Sequence, residues 1–228
     1  MEQYGALEEV RVNGVCLRYA AAGVGRPVVL LHGNGESHDL FETQIGQLTA
    51  AGYRVYAPDS RGHGASQPVT EYHYGDMAED IFQFIRALEL ESPVLYGHSD
   101  GGIIGLLLAL SHPGALRALA ISGTNLSPAG LIPDFLRECR EISERAPDPL
   151  ITLMLTEPHI DPDQLSQITI PVLVTVGEHD VILSKETETI VSHLPNAYLV
   201  TVAGADHGSY IRGSEIMGGL LLDFLKKL

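Results

Sequence analysis

Basic residues are scarce in this chain. Fourteen Lys and Arg face 29 Asp and Glu, giving a formal net charge of −15. A surface of that sign repels phosphate backbones and anionic lipid headgroups, which argues against nucleic-acid and membrane partners and favours neutral or cationic small molecules. Only two cysteines are present, Cys16 and Cys139, in unrelated segments. Free thiols are expected rather than a disulfide, as in a reducing compartment. Long apolar runs are missing too: the stretch from Ile103 to Leu110 ends at Ser111-His112-Pro113, far short of a membrane span. The opening Met1-Glu2-Gln3-Tyr4 has no basic region followed by an apolar core. Together these features predict a cytoplasmic protein. There is no H-E-x-x-H, no H-x-H-x-D-H, no G-x-x-x-x-G-K-[ST] and no dinucleotide fingerprint. No metal site and no cofactor is implied.

What remains is a globular composition, 45% hydrophobic over 228 residues. That is enough for one α/β domain, residues 1–228, and too little for two domains and a linker. Leu7–Val12 and Val15–Ala20 alternate apolar and polar around Asn13-Gly14, the signature of a tight hairpin. Strand-like runs follow at Val28–Leu31, Arg54–Ala57, Pro93–Tyr96, Leu116–Ile121, Val172–Val176 and Tyr198–Val202. Helical stretches separate them: Leu40 to Leu48, Asp76–Leu90, Ile103–Leu110, Ser184–Leu194 and Ser214–Lys227. Between about residues 125 and 169 the alternation breaks. One helix, Leu131–Arg145, is expected there, then a loop broken by Pro147, Pro149, Pro158 and Pro162. Strands alternating with helices predict a mostly parallel sheet covered on both faces, with an antiparallel hairpin at the start. Ligands of such sheets bind at the carboxyl ends of the strands.

The chemistry concentrates at those ends. Gly97-His98-Ser99-Asp100-Gly101 reads G-x-S-x-G between a strand and a helix, the context of a nucleophile elbow. Glycines two before and two after the serine let strand and helix approach closely. A serine hydroxyl needs a base, and His207, in Gly204-Ala205-Asp206-His207-Gly208 after the last strand, is the candidate. The base needs an orienting carboxylate, and Asp180, in Gly177-Glu178-His179-Asp180, leads. Glu178 and Asp206 are the alternatives. The order Ser99, Asp180, His207 suits a triad mounted on this kind of sheet. The N–H of Asp100, at the helix start, and the N–H of Asn34, in His32-Gly33-Asn34-Gly35, are the candidate oxyanion donors. His98, beside the elbow, is read as a packing residue.

With these pieces together, the chain resembles the α/β-hydrolase-fold proteins over nearly its whole length. The matching segments are His32-Gly33, Asp59-Ser60-Arg61-Gly62-His63-Gly64-Ala65-Ser66, the elbow, Gly177 to Asp180 and Asp206-His207-Gly208. The resemblance implies an α/β-hydrolase fold with a short helical lid at about 125–169. It implies a serine hydrolase that cleaves small carboxylic esters through an acyl-enzyme intermediate, with Asp59 and Arg61 in a structural role. An acyltransferase, a C–C bond hydrolase or a perhydrolase would use the same triad, and a non-enzymatic ligand receptor would share the fold. The short lid implies an open pocket for small acyl groups. Elbows reading Ser-Asp-Gly-Gly occur in relatives that hydrolyse amino-acid esters, so Asp100 has two readings. Either its carboxylate binds a cationic substrate group, or it turns away and binds nearby backbone or a histidine.

Overall fold

A computed structural model describes residues 5–228. Met1-Glu2-Gln3-Tyr4, read above for a leader, lies outside them. The hairpin forms as its sequence predicts. Asn13 and Gly14 both take positive φ, 44° and 80°, the geometry that matches the twist of paired strands. It joins β1 (Glu8–Val12) to β2 (Val15–Gly23). Then come β3 (Arg26–Leu31), α1 (Glu42–Ala50), β4 (Tyr53–Pro58), α2 (Tyr74–Ala87), β5 (Val94–His98), α3 (Asp100–Ser111) and β6 (Ala118–Ser122). After an insertion follow β7 (Val172–Gly177), then a helix over Ser184–His193, then β8 (Ala197–Val202) and a last helix over Ile216–Leu225. One eight-stranded sheet results, in the order β1-β2-β4-β3-β5-β6-β7-β8. β1 and β2 are antiparallel, as is β2 with β4, and every pairing from β4 to β8 is parallel.

Successive strand side chains point to opposite faces, and both faces are buried. Val29, Leu31, Leu95, Leu119 and Ile121 join one core with Ile81 and Phe84 of α2 and Ile103 of α3. Val28, Leu30, Tyr96 and Ala120 join the other with Ile45 and Leu48 of α1 and Met217 and Leu221 of the last helix. The parallel strands put every following loop on one rim, so β3, β5, β7 and β8 deliver their polar motifs to the same place.

The insertion corrects the sequence reading. It holds two α-helices rather than one, α4 (Pro133–Arg145) and α5 (Pro149–Thr156). The helices that follow β7 and β8 are therefore α6 and α7. Two of the four prolines read as loop breakers start helical turns instead. Pro149 opens α5, where its missing N–H is no loss, and Asp148 caps that end by accepting from the Leu150 N–H at 2.8 Å. Pro162 opens a 3-10 turn behind Asp161 in the same way. Both cysteines are free. No described helix is long and apolar enough to cross a membrane.

Candidate active site

The serine at the turn from β5 into α3 has φ 52° and ψ −116°. A positive φ on a serine costs about 1–3 kcal/mol and persists only where the surroundings enforce it. Here β5 passes directly under α3. A Cβ on Gly97 would collide with the Gly101 carbonyl, and one on Gly101 with the Leu31 carbonyl. The Ser99 N–H is tied to the Ser122 carbonyl at 2.8 Å, which fastens the turn to β6. Asp100 begins α3, so its N–H is among the helix donors that have no intrahelical acceptor.

Asp180 follows β7 with its side chain almost wholly buried. Its Oδ1 lies 2.6 Å from His207 Nδ1 and accepts the Ile182 N–H at 3.1 Å, while Oδ2 accepts the Gly177 N–H at 3.3 Å. With a carboxylate at that distance Nδ1 carries the ring proton, leaving Nε2 as the basic nitrogen. Gly123, which sequence reading passed over, makes room for the pair: a Cβ there would sit 2.7 Å from the His207 ring. Glu178 and Asp206 have other partners. Glu178 accepts the Gly204 N–H at 2.7 Å, and Asp206 caps the Gly208 and Ser209 N–H groups at 3.0 and 2.8 Å. Those backbone bonds, Ser209 first, hold the Asp206 carboxyl below its usual range.

Ser99 and His207 line one small, partly open cavity of about 30 Å³, together with Asp100, Tyr74 and Glu157. Leu131, Phe135 and Met154 of the insertion complete its wall. Such a volume holds about two waters. Phe135 of α4 and Met154 of α5 bring both helices of the insertion to the rim beside the serine, which stays partly exposed.

Asp100 is among the residues lining the cavity, and its carboxylate is bound by the Tyr74 hydroxyl and by Asn34 Nδ2, the latter at 3.0 Å. Burial raises its pKa, against the opposing effect of those two donors. The Tyr74 hydroxyl is pushed up in turn, first by burial and then by the Asp100 charge. Asn34 also donates to the Leu150 carbonyl at 3.2 Å, so its amide joins the elbow to α5. Sequence reading took Asn34 only for its backbone and missed Tyr74 and Glu157; neither stands in a motif.

The surrounding polar residues brace the loops. His32 Nε2 accepts the Ser60 N–H at 3.0 Å, so Nδ1 donates to the Gly33 carbonyl at 2.8 Å. Burial lowers the His32 pKa to about 4, which keeps the ring neutral. His98 packs with its ring centroid 4.8 Å from that of His207, and burial followed by His207 itself pushes its pKa far down. Arg61 grips Asp80 of α2 with two nitrogens at 2.6 and 2.7 Å. Asp59 accepts from His38 N–H, His38 Nδ1 and Ala65 N–H, each at 2.8 Å. No group of three or more His, Cys, Asp or Glu able to hold a metal ion occurs among the described residues.

A sequence profile of the alpha/beta hydrolase fold matches residues 26–149. The AB hydrolase superfamily protein YisY of Bacillus subtilis is 40% identical over 94 residues, 41% of this chain and 35% of that protein. Serine hydrolase BPHL of Homo sapiens is 28% identical over 251 residues, covering 96% of this chain and 86% of that one. Among solved structures, a thermophilic esterase from Thermogutta terrifontis superposes with a TM-score of 0.84 at 23% identity, covering 96% of this chain and 98% of the esterase. The chain belongs to the alpha/beta hydrolase fold family and is a hydrolase of that fold.

Proposed function

We propose that the chain is a serine hydrolase of small carboxylic esters, acting through Ser99, His207 and Asp180. The observation that carries this reading is the 2.6 Å contact between Asp180 Oδ1 and His207 Nδ1, beside a cavity that Ser99 shares with that imidazole. A resemblance to proteins described as a serine hydrolase and as esterases adds support. Ser99 Oγ attacks the ester carbonyl while His207 Nε2 takes its proton. The carbonyl oxygen, now anionic, is held by the N–H groups of Asn34 and Asp100. The C–O bond breaks as His207 returns the proton to the leaving alcohol. Water then attacks the acyl-serine with His207 again as base, and the acid leaves. Asp180 stays ionised throughout and stabilises the imidazolium. Metal and cofactor have no part in this scheme.

The small size of the cavity supports short acyl groups. The buried acid Asp100, next to Ser99 and among the cavity's lining residues, supports a preference for substrates carrying an ammonium beside the ester. A panel of short p-nitrophenyl esters, with matched α-amino and neutral esters, tests both. Ser99→Ala should abolish turnover and leave the melting temperature within a degree or two, since the serine hydroxyl is not a core contact. A fluorophosphonate should attach to Ser99 and to no other residue by mass spectrometry. Turnover that survives in Ser99→Ala refutes the nucleophile. Equal kcat/KM on the paired esters, unchanged in Asp100→Asn, refutes ammonium recognition.

A further inference from the structure

Glu36 lies three residues past the oxyanion loop's Gly33 and is outside every motif named above. Its backbone N–H donates to the Gly33 carbonyl at 3.2 Å, and its Oε2 accepts the Gly33 N–H at 3.0 Å. One residue thus holds Gly33 on both sides. The Gly33 carbonyl also receives His32 Nδ1 at 2.8 Å. In a trans peptide the C=O and the N–H of the next residue point in opposite directions. Gripping the Gly33 oxygen therefore sets the direction of the Asn34 N–H. The loop lies against the nucleophile itself: a Cβ on Gly33 would be 3.1 Å from Ser99 Cβ.

The second oxygen of Glu36 has its own partner. Oε1 accepts Arg212 Nη2 at 2.8 Å. Arg212 sits at the end of the hydrogen-bonded turn that directly follows His207. Its N–H donates to the Gly208 carbonyl at 3.1 Å, and Asp206 caps the start of the same turn. Glu36 and Arg212 join the loop after β3 to the loop after β8.

From this geometry we infer that Glu36 is a positioning residue for the oxyanion hole, and that Arg212 fixes its carboxylate and couples that loop to the His207 loop. The inference rests on the serine hydrolase reading above. An oxyanion donor acts in the transition state, so misaiming it lowers kcat and leaves KM alone. Arg212 is 61% exposed on its side chain, and an ion pair of that kind adds little stability. Its loss should register in turnover rather than in melting.

The test is steady-state hydrolysis of p-nitrophenyl acetate by the full chain. Glu36→Ala should lower kcat by about 10- to 100-fold with KM nearly unchanged, since a whole donor is worth about 10²–10³. Glu36→Gln keeps an acceptor for the Gly33 N–H and should recover most of that loss. Arg212→Ala should show a smaller fall in kcat at an unchanged melting temperature. The double variant should be no slower than Glu36→Ala alone, because Arg212 acts through Glu36. Should Glu36→Ala fail to fold, Arg212→Ala carries the test. Wild-type kcat in the folded variants, a change confined to KM, or additive losses would each overturn the role. Hydrolysis that disappears in Ser99→Ala yet persists at full rate in Glu36→Ala removes the positioning role and leaves the hydrolase reading standing. An inactive wild type whose Ser99 takes no fluorophosphonate removes both.

Discussion

Asp180 stands alone as the partner of His207, and that isolation has a measurable consequence. Glu178 binds the Gly204 N–H and Asp206 binds the Gly208 and Ser209 N–H groups, so each would have to break backbone bonds before approaching the imidazole. Neither can rescue a lost Asp180 cheaply. An amide at 180 would donate to Nδ1 and force the opposite tautomer, which puts the ring proton on the nitrogen that acts as base in the proposed scheme. Asp180→Asn is expected to lower kcat by about 10⁴-fold, close to the effect of His207→Ala. The comparison of the two variants on one ester, at saturating substrate, checks it. A loss of only a few-fold would mean that Glu178 or Asp206 moves in. The residues in this site that a sequence could reveal are those whose roles are local: Ser99 between its glycines, and His207 and Asp180 just past strand ends. Tyr74, Gly123 and Glu157 matter only because distant segments meet there, and nothing adjacent to them in the chain signals it.

Among the elements, the insertion departs furthest from expectation. Pro147, Pro149, Pro158 and Pro162 were read as breakers, yet two of the four open helical turns behind an aspartate. Proline is neutral at a first helical position and prohibitive only further in. The Asp148-Pro149 and Asp161-Pro162 pairs are therefore start signals. Removing the cap by Asp148→Ala is expected to cost about 1 kcal/mol and lower the melting temperature by about 2–4 °C. Calorimetry would detect this, and an unchanged midpoint would show that α5 holds its first turn without the cap. The start of α2 carries a related lesson. Its amphipathic pattern suggests Asp76, but the helix begins at Tyr74, because Glu157 from the insertion accepts the Tyr74 N–H at 3.0 Å. A cap supplied from 83 residues away leaves no local trace. At the other end the helix stops at Ala87, short of the expected Leu90, since Glu89 turns to φ 52°.

Across the whole molecule, buried ion pairs tie the rim loops together, and one of them makes stability depend on pH. The hydrogen bond that His38 donates to Asp59 raises the His38 pKa above 6.5, more than burial lowers it. Burial pushes Asp59 up, but its bonds from His38 and Ala65 prevail and hold it below 3.8. A raised histidine contributes fully below its unfolded pKa and loses its share as pH climbs through the folded value. A depressed aspartate contributes above its unfolded pKa and loses its share as pH falls through the folded value. The pair thus contributes most between about pH 4 and pH 6.5. The melting-temperature gap between wild type and His38→Gln should be widest in that window and narrow on the alkaline side. A gap that is flat with pH would mean that His38 acts through shape alone.

The sequence by itself determined what depends on near neighbours. Alternation at two-residue spacing set the two hairpin strands, short apolar runs set the parallel ones, Asn13-Gly14 set the hairpin, and the glycines around Ser99 set the elbow, since each follows from limits within a few residues. The same limits placed the triad candidates on one rim, because parallel strands end on one side. Tertiary structure alone decided that both helices of the insertion reach the rim beside the serine, that Asn34 and Tyr74 bind the Asp100 carboxylate, and that Glu36 meets Arg212. Those outcomes depend on contacts between segments 60 to 180 residues apart, whose energies are comparable to local preferences but whose partners no window of sequence contains.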